Sequence, residues 1–258
     1  MIELYQFPFS HYCEKARWAL EYKRVAYKPV NLLPGLHVKA VRRRAPKSCL
    51  PVLVDGKIAV QESSAIITYL DGRYPDPALT PGDPTEAREA LEWERYLNEE
   101  IGVTLRLWFY YHALPDRDLA LRVMLDGAAW YARPLYWLSY PKVRSAMTRS
   151  MNINDDSAEQ SKHRMLLALG KLDDALNERQ FLVGDRFSRA DLTACALLST
   201  FCLPNDIEAS GQFPPAIRAQ RDQLKGRRFF RWVRDVYDNY RQPMPIAPAP
   251  IFLDTNLG

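Results

Sequence analysis

The chain has 258 residues, with 35 basic and 31 acidic side chains for a net charge of +4, 47% apolar and 12% aromatic residues, and 11 Gly against 19 Pro. That is the composition of a folded globular protein, which excludes a disordered or collagen-like chain, and the length suits two modest domains better than one. The apolar stretch 194–203 is broken by Ser199 and Thr200 and is too short for a bilayer span, and Glu3 stands where a signal peptide wants basic residues, so a cytoplasmic product is expected, without membrane contact. Cys13, Cys49, Cys195 and Cys202 form no paired framework and suit reduced thiols; with the four His they are too scattered for a zinc site, so no metal is expected.

Residues 1–80 carry 12 Lys/Arg and 7 Asp/Glu, and the remaining 178 carry 23 and 24, so the excess positive charge lies entirely in the first third. Arg42, Arg43, Arg44 and Lys47 supply most of it. A solvated helix end and loop explains the cluster most simply, and a small anionic ligand comes second. Nucleic acid is not expected, since no aromatic interleaving accompanies the charge.

In chain order, residues 2–7 form a β-prone segment closed by Pro8. Ser10 then caps a helix over 11–22 with Ala16, Trp18 and Leu20 at helical spacing. A second strand over 25–30 precedes Pro34-Gly35 and a short helix over 36–44. The runs 52–54 and 58–60 flank the turn dipeptide Asp55-Gly56 as a hairpin, and a helix follows from Ser63. The order β-α-β-α-β-β-α has the thioredoxin-like arrangement as its natural solution: a mixed four-stranded sheet with helices on both faces. A doubly wound nucleotide fold would need a glycine-rich turn after the first strand, and residues 7–11 contain no Gly.

Four prolines between 75 and 84 mark a boundary near residues 76–83, after which strand signals vanish. The fold class read from this pattern is α+β: a thioredoxin-like domain over 1–78, an all-α domain over 84–242, and a Pro-rich extended tail over 243–258. Asp83-Pro84-Thr85-Glu86 starts a helix expected to run to about Tyr111, with further helices over 116–132, 157–177, 188–202 and 225–240. Ser188 and Asp191 make a capping box whose role is expected to be folding.

Three loops of such a sheet meet at one edge. Ser10 at the first helix start either caps the helix or donates to a neighbouring anion, since backbone N–H groups and the positive helix end favour one there. Leu50-Pro51, just before a strand, predicts a cis bond that turns the Leu50 backbone outward to pair with an extended peptide. Ser63 and adjacent N–H groups suit a carboxylate while Glu62 suits an amine, together fitting a zwitterionic amino-acid head group; the helix dipole equally favours Glu62 as a plain first-turn residue.

Phe7-Pro8-Phe9-Ser10-His11-Tyr12-Cys13 through Trp18, Leu50-Pro51-Val52-Leu53 and Glu62-Ser63-Ser64-Ala65-Ile66, in this order ahead of an all-α region, resemble the cytosolic glutathione S-transferase superfamily over residues 1 to about 240. The resemblance implies glutathione as co-substrate, with Glu62 and Ser63 on its γ-glutamyl end, Leu50 beside Pro51 pairing with its cysteinyl backbone, and His37 or Lys39 near its glycine carboxylate. It also implies a homodimer. Gln6 fills the position of a tyrosine-type member, so Ser10 is the expected thiol-activating residue. Cys13, three residues on in the frame of a Cys-x-x-Cys motif, is the alternative and would imply thiol-disulfide exchange or deglutathionylation. A third reading is a glutathione-fold binding module without catalysis. Core packing or a subunit contact explains most of the aromatics at 108–112, 130–131, 136–137 and 140. The rest are expected to line a pocket for an apolar or aromatic electrophile, with Phe9, Trp108, Tyr111 and His112 as its contacts.

Overall fold

The computed structural model describes residues 1–125, 128, 132–203 and 213–243. Its first part is a four-stranded sheet in the order β2-β1-β3-β4, built from β1 (Ile2–Gln6), β2 (Tyr27–Asn31), β3 (Val52–Asp55) and β4 (Ile58–Gln61). β1 runs parallel to β2 and antiparallel to β3, with Leu4 between Pro29 and Leu53. β3 and β4 form the hairpin, turned at Gly56 with φ 61°. Glycine suits that angle because a Cβ there would be strained.

Strand alternation separates the two faces of the sheet. Leu4 and Leu53, both fully buried, point toward α1 (His11–Tyr22) and α3 (Ser63–Arg73), where they join Ala16, Trp18, Ile66 and Ile67. Tyr5 and Val52 point the other way, onto Ala40 and Val41 of α2 (His37–Arg42). This is the α+β, thioredoxin-like arrangement expected from the order of the elements.

From Pro84 onward the described residues are helical, and the expected single helix to about Tyr111 proves to be three joined pieces. α4 (Pro84–Leu97) passes into a π-helical segment (Asn98–Val103) and then α5 (Thr104–Ala113), with helical backbone at both joints. Asp83 caps the start, accepting from the N–H groups of Thr85 and Glu86. α6 (Arg117–Met124) stops well short of the expected residue 132.

The stretch between the helices expected over 116–132 and 157–177, to which the sequence reading assigned no element, is largely α7 (Ala132–Ser150), and it carries Pro141 in its interior. A proline there leaves the carbonyl four residues back without its donor. That carbonyl belongs to Trp137, and Arg117 donates to it at 3.3 Å while its guanidinium lies 4.0 Å from the Trp137 ring centroid. α8 (Asp155–Ala175) and α9 (Arg189–Cys202) follow, then α10 (Pro215–Leu224), which the sequence reading did not anticipate, and α11 (Arg228–Tyr240).

α9 is the central helix. All its residues except Thr200 are buried, and the Ser188–Asp191 capping box closes its start. One hydrophobic cluster runs through β1, α1, α3, α4, α5, α8, α9 and α11, so the sheet and the helices share a core. Among the described residues no helix is long and apolar enough to cross a membrane. Trp130, Tyr131 and all but the first residue of the Pro-rich tail lie outside the described residues.

Candidate functional site

The site begins at the turn between β1 and α1. Pro8 ends the strand, Ser10 takes an extended conformation (φ −83°, ψ 124°), and its hydroxyl oxygen accepts from the Cys13 N–H at 3.4 Å. Capping uses a lone pair of that oxygen. The cap does not use the hydroxyl proton, which lies within reach of Cys13 Sγ and favours its thiolate form, so cap and donor are compatible roles for one side chain.

A buried framework behind the turn holds it in place. The Arg17 guanidinium donates to the Pro8 carbonyl at 3.0 Å, to Gln6 Oε1 at 2.8 Å and to Glu14 Oε2 at 2.8 Å. Glu14 in turn accepts from Arg241 at 2.8 Å. Gln6 also donates to Asn31, so it serves as a tie between β1 and β2.

Cys13 lies under the turn with no exposed surface, and its sulfur accepts from the Phe7 N–H at 3.4 Å. Burial pushes its thiol up, outweighing the pull of Arg17. Tyr12 and His11, expected at the surface, are instead packed inward. Tyr12 donates to the Asn98 carbonyl at 2.8 Å, and His11 is 8% exposed, with burial pushing its imidazole down to about 3.

The second loop carries the Leu50–Pro51 peptide, which is cis. Leu50 is partly buried against the α2 side of the sheet, and the Pro51 carbonyl accepts from the Glu62 N–H at 3.2 Å. That bond ties the second loop to the third.

In the third loop Glu62 has φ 79° and ψ 135°, a conformation that costs a non-glycine residue about 1–3 kcal/mol and persists only where the surroundings hold it. Here Gln61 supplies that hold, donating to the carbonyls of Lys47 and Cys49 at 2.9 and 2.8 Å and accepting from the Lys47 N–H at 3.1 Å. Glu62 is exposed and pairs with Lys47 Nζ at 2.6 Å, while Ser63 behind it is buried at the start of α3.

Lys47 thus joins the candidate site, although the sequence reading left it among the solvated charges. Its basic character was visible, but its partner lies fifteen residues away. His37 packs edge-on against Phe7 at 4.8 Å, accepts from the Gly35 N–H at 3.0 Å, and burial lowers its pKa. Lys39 is exposed on the same short helix.

Four aromatic positions were expected to face an electrophile. Phe9 stacks on Phe7 at 5.4 Å and is partly buried beside Leu33, Tyr110 and Tyr136. Trp108, by contrast, is 3% exposed and belongs to the main core. Tyr111 donates to Asp155 at the start of α8 at 2.9 Å, and His112 lies between the rings of Trp108 and Tyr111. The structure therefore gathers Phe9 with Tyr110 near the turn and places Trp108, Tyr111 and His112 in contacts within the helical part.

The helical part also reaches under the third loop. Lys15 Nζ contacts Ser64 Oγ at 3.0 Å and Asn98 Oδ1 at 3.3 Å, and lies 2.6 Å from Glu94 Oε1, near enough for an ion pair though off the direction of a hydrogen bond. Arg189 donates to Glu94 at 2.7 Å, to the Ser64 carbonyl at 3.1 Å and to Thr68 at 3.1 Å. Burial pushes the Lys15 ammonium down to about 8, with Glu94 pulling the other way. These groups brace the start of α3 from below.

A family model described as glutathione S-transferase, N-terminal domain, matches residues 4–78. Glutathione S-transferase TCHQD of Arabidopsis thaliana is 28% identical over 210 residues, 78% of this chain and 77% of its own length. Glutathione S-transferase Z1 of the same plant is 39% identical over 147 residues, 50% of this chain and 66% of its own. Among solved structures, a beta-etherase from a Sphingobium strain superposes with a TM-score of 0.60 at 18% identity, covering 91% of this chain and 98% of that one. A glutathione S-transferase from Methylobacterium radiotolerans, solved with glutathione sulfonate, superposes with a TM-score of 0.56 at 22% identity, covering 97% and 99%. At these identities the structural likeness is one of fold, and it extends over nearly the whole chain. Residues 4–78 thus match a glutathione S-transferase N-terminal domain, and the relatives aligned beyond it are glutathione S-transferases as well.

Proposed function

We propose that the protein is a glutathione S-transferase-like enzyme that holds the glutathione thiol as a thiolate at Ser10 and directs it at an apolar or aromatic electrophile. The observation that carries this reading is the Ser10 hydroxyl, whose oxygen accepts from its own helix and whose proton, within reach of Cys13 Sγ inside the chain, is a donor that a bound thiolate can take over. A donor aimed at a thiolate favours the charged form and so enlarges the reactive fraction near neutral pH. The sulfur then forms a bond to the electrophilic carbon, and the leaving group departs with its electron pair.

Glutathione is read as lying along the loop edge, with its γ-glutamyl head at Glu62 and Ser63 and its cysteinyl backbone against Leu50 beside Pro51. Lys47 joins His37 and Lys39 as a candidate partner for its glycine carboxylate. The strained, braced backbone at Glu62 supports this assignment, because such conformations cluster at ligand sites.

Cys13 gains no support as the alternative nucleophile, since a thiol without exposed surface and pushed up by burial is mostly protonated and out of reach. The same reading takes the protein as a cytoplasmic homodimer, which sedimentation and cell fractionation would test.

The deciding measurement is turnover of chlorodinitrobenzene with glutathione by wild type and Ser10→Ala. Loss of a preorganised donor should lower kcat about a hundredfold. An unchanged rate removes Ser10 from the mechanism. Glutathione binding by calorimetry without turnover of any electrophile in a broad panel would favour the non-catalytic module.

A further inference from the structure

Arg106 stands on α5 facing the first turn of α1. Its guanidinium carbon is 5.6 Å from the centroid of the Tyr12 ring, and that ring lies 4.6 Å from the ring of His11. Tyr12 is itself anchored through its hydroxyl to the Asn98 carbonyl, so the ring beneath the guanidinium is held in place.

Two buried polar atoms in this small region have no hydrogen-bond partner: Arg106 Nε and His11 Nε2. Arg106 forms no ion pair or hydrogen bond with the described residues, although the other half-buried arginines near the domain junction, Arg17 and Arg241, are each paired with carboxylates. Burying Nε unpaired is unfavourable, and the terminal nitrogens of the same guanidinium are not enclosed and have no partner among the described residues, which makes an acceptor supplied from outside the chain their natural complement.

The residues around the guanidinium define where the acceptor would sit. Tyr110 follows Arg106 by four residues on α5 and so shares its face of the helix, while Tyr12 lies under the guanidinium. Tyr12 is two residues after Ser10, and Tyr110 packs in the same cluster as Phe9. The guanidinium therefore stands between the start of α1 and the aromatic cluster of Phe9 and Tyr110. Among the described residues no carboxylate forms an ion pair with it.

We propose that Arg106 recognises an anionic group on the second substrate, a carboxylate or phenolate carried by an aromatic electrophile whose ring packs against Phe9 and Tyr110. This rests on the reading of the site as a glutathione-dependent one and adds the substrate's charge to it. Arginine suits the task because its planar fork meets a carboxylate through paired hydrogen bonds.

The test compares two electrophiles that differ by one carboxylate, chlorodinitrobenzene and chlorodinitrobenzoate, with wild type, Arg106→Met and Arg106→Lys. Losing a charge-assisted contact should lower kcat/KM for the benzoate about ten- to a hundredfold more than for the neutral compound, with Arg106→Lys between. Equal losses on both compounds, or none, overturn the proposal. Ser10→Ala should slow both alike, so failure of thiol activation is distinguishable from failure of anion recognition. If wild type turns over neither compound, calorimetry with nitrobenzoate decides: binding weakened at least about tenfold by Arg106→Met supports the assignment, and unchanged binding refutes it.

Discussion

Glu94→Gln removes one negative charge that two buried cations share. Glu94 is 2% exposed, and the side chains of Lys15 and Arg189 are 0% and 2% exposed at 2.6 and 2.7 Å from its oxygens. Breaking a buried pair by deleting one partner costs about 3–5 kcal/mol, because the remaining charge stays desolvated; an exposed pair such as Lys225–Asp222 is worth less than about 1 kcal/mol. Both cations keep neutral partners, Lys15 at Ser64 and Asn98 and Arg189 at Thr68 and Thr80, so hydrogen bonding survives and the loss is one of charge compensation. The lower end of the range, about 3 kcal/mol, is then expected, which for a chain of this size is a drop of about 6–12 °C in Tm. Thermal and urea unfolding at neutral pH measure it. The triple replacement Lys15→Met, Glu94→Leu, Arg189→Met should recover most of the loss, since apolar side chains of similar volume need no compensation. A loss under about 1 kcal/mol in the single variant would refute the view that these charges are held desolvated. In Glu94→Gln the KM for glutathione should also rise more than kcat falls, because Lys15 and Arg189 brace the start of α3.

Three further outcomes follow from the same geometry. A Cβ at Gly102 would lie 2.4 Å from Tyr12 Oη and 3.2 Å from Leu197 Cδ2, so Gly102→Ala should cost about 1–3 kcal/mol in urea unfolding; strict additivity with Tyr12→Ala would show that the clash is not the cause. The His11 imidazole is pushed by burial down to about 3, whereas an unfolded His titrates near about 6.5, so between those values the unfolded chain binds more protons and wild-type stability falls as pH falls. His11→Gln should therefore gain about 2–3 kcal/mol on wild type between pH ~7 and pH ~4.5, and parallel stability curves would contradict the burial argument. Glu62→Gly relieves the φ of 79° and should stabilise the fold by about 1 kcal/mol while weakening glutathione binding at least about tenfold by calorimetry; a destabilised variant with full affinity would overturn both halves.

Where the sequence was legible, the signals were local. The hairpin follows from Asp55-Gly56, the start of α1 from Ser10, and the start of α9 from Ser188 and Asp191 three residues apart, because a turn or cap is decided by side chains within four residues of the backbone they satisfy. The order of elements then restricts the sheet to one mixed arrangement. α7 escaped this reading because Pro141 argues against a helix, and the donor that repairs the broken ladder is Arg117, twenty residues earlier. The π-helical turn was equally hidden. It surrounds Gly102, where the Tyr12 ring docks and its hydroxyl takes the Asn98 carbonyl.

The amino-acid order by itself determined the strands and helices of the first domain, the three loop motifs and the shift to an all-helical remainder, since each depends on neighbours along the chain. Tertiary structure alone decided that Lys47 pairs with Glu62, that Cys13 is sealed under the turn, that Trp108 belongs to the core, and that Arg106 faces the first turn of α1. Those outcomes depend on which distant groups share a desolvated space, where an unmatched charge or donor is costly and a matched one is held, and a one-dimensional pattern carries no distance across the fold.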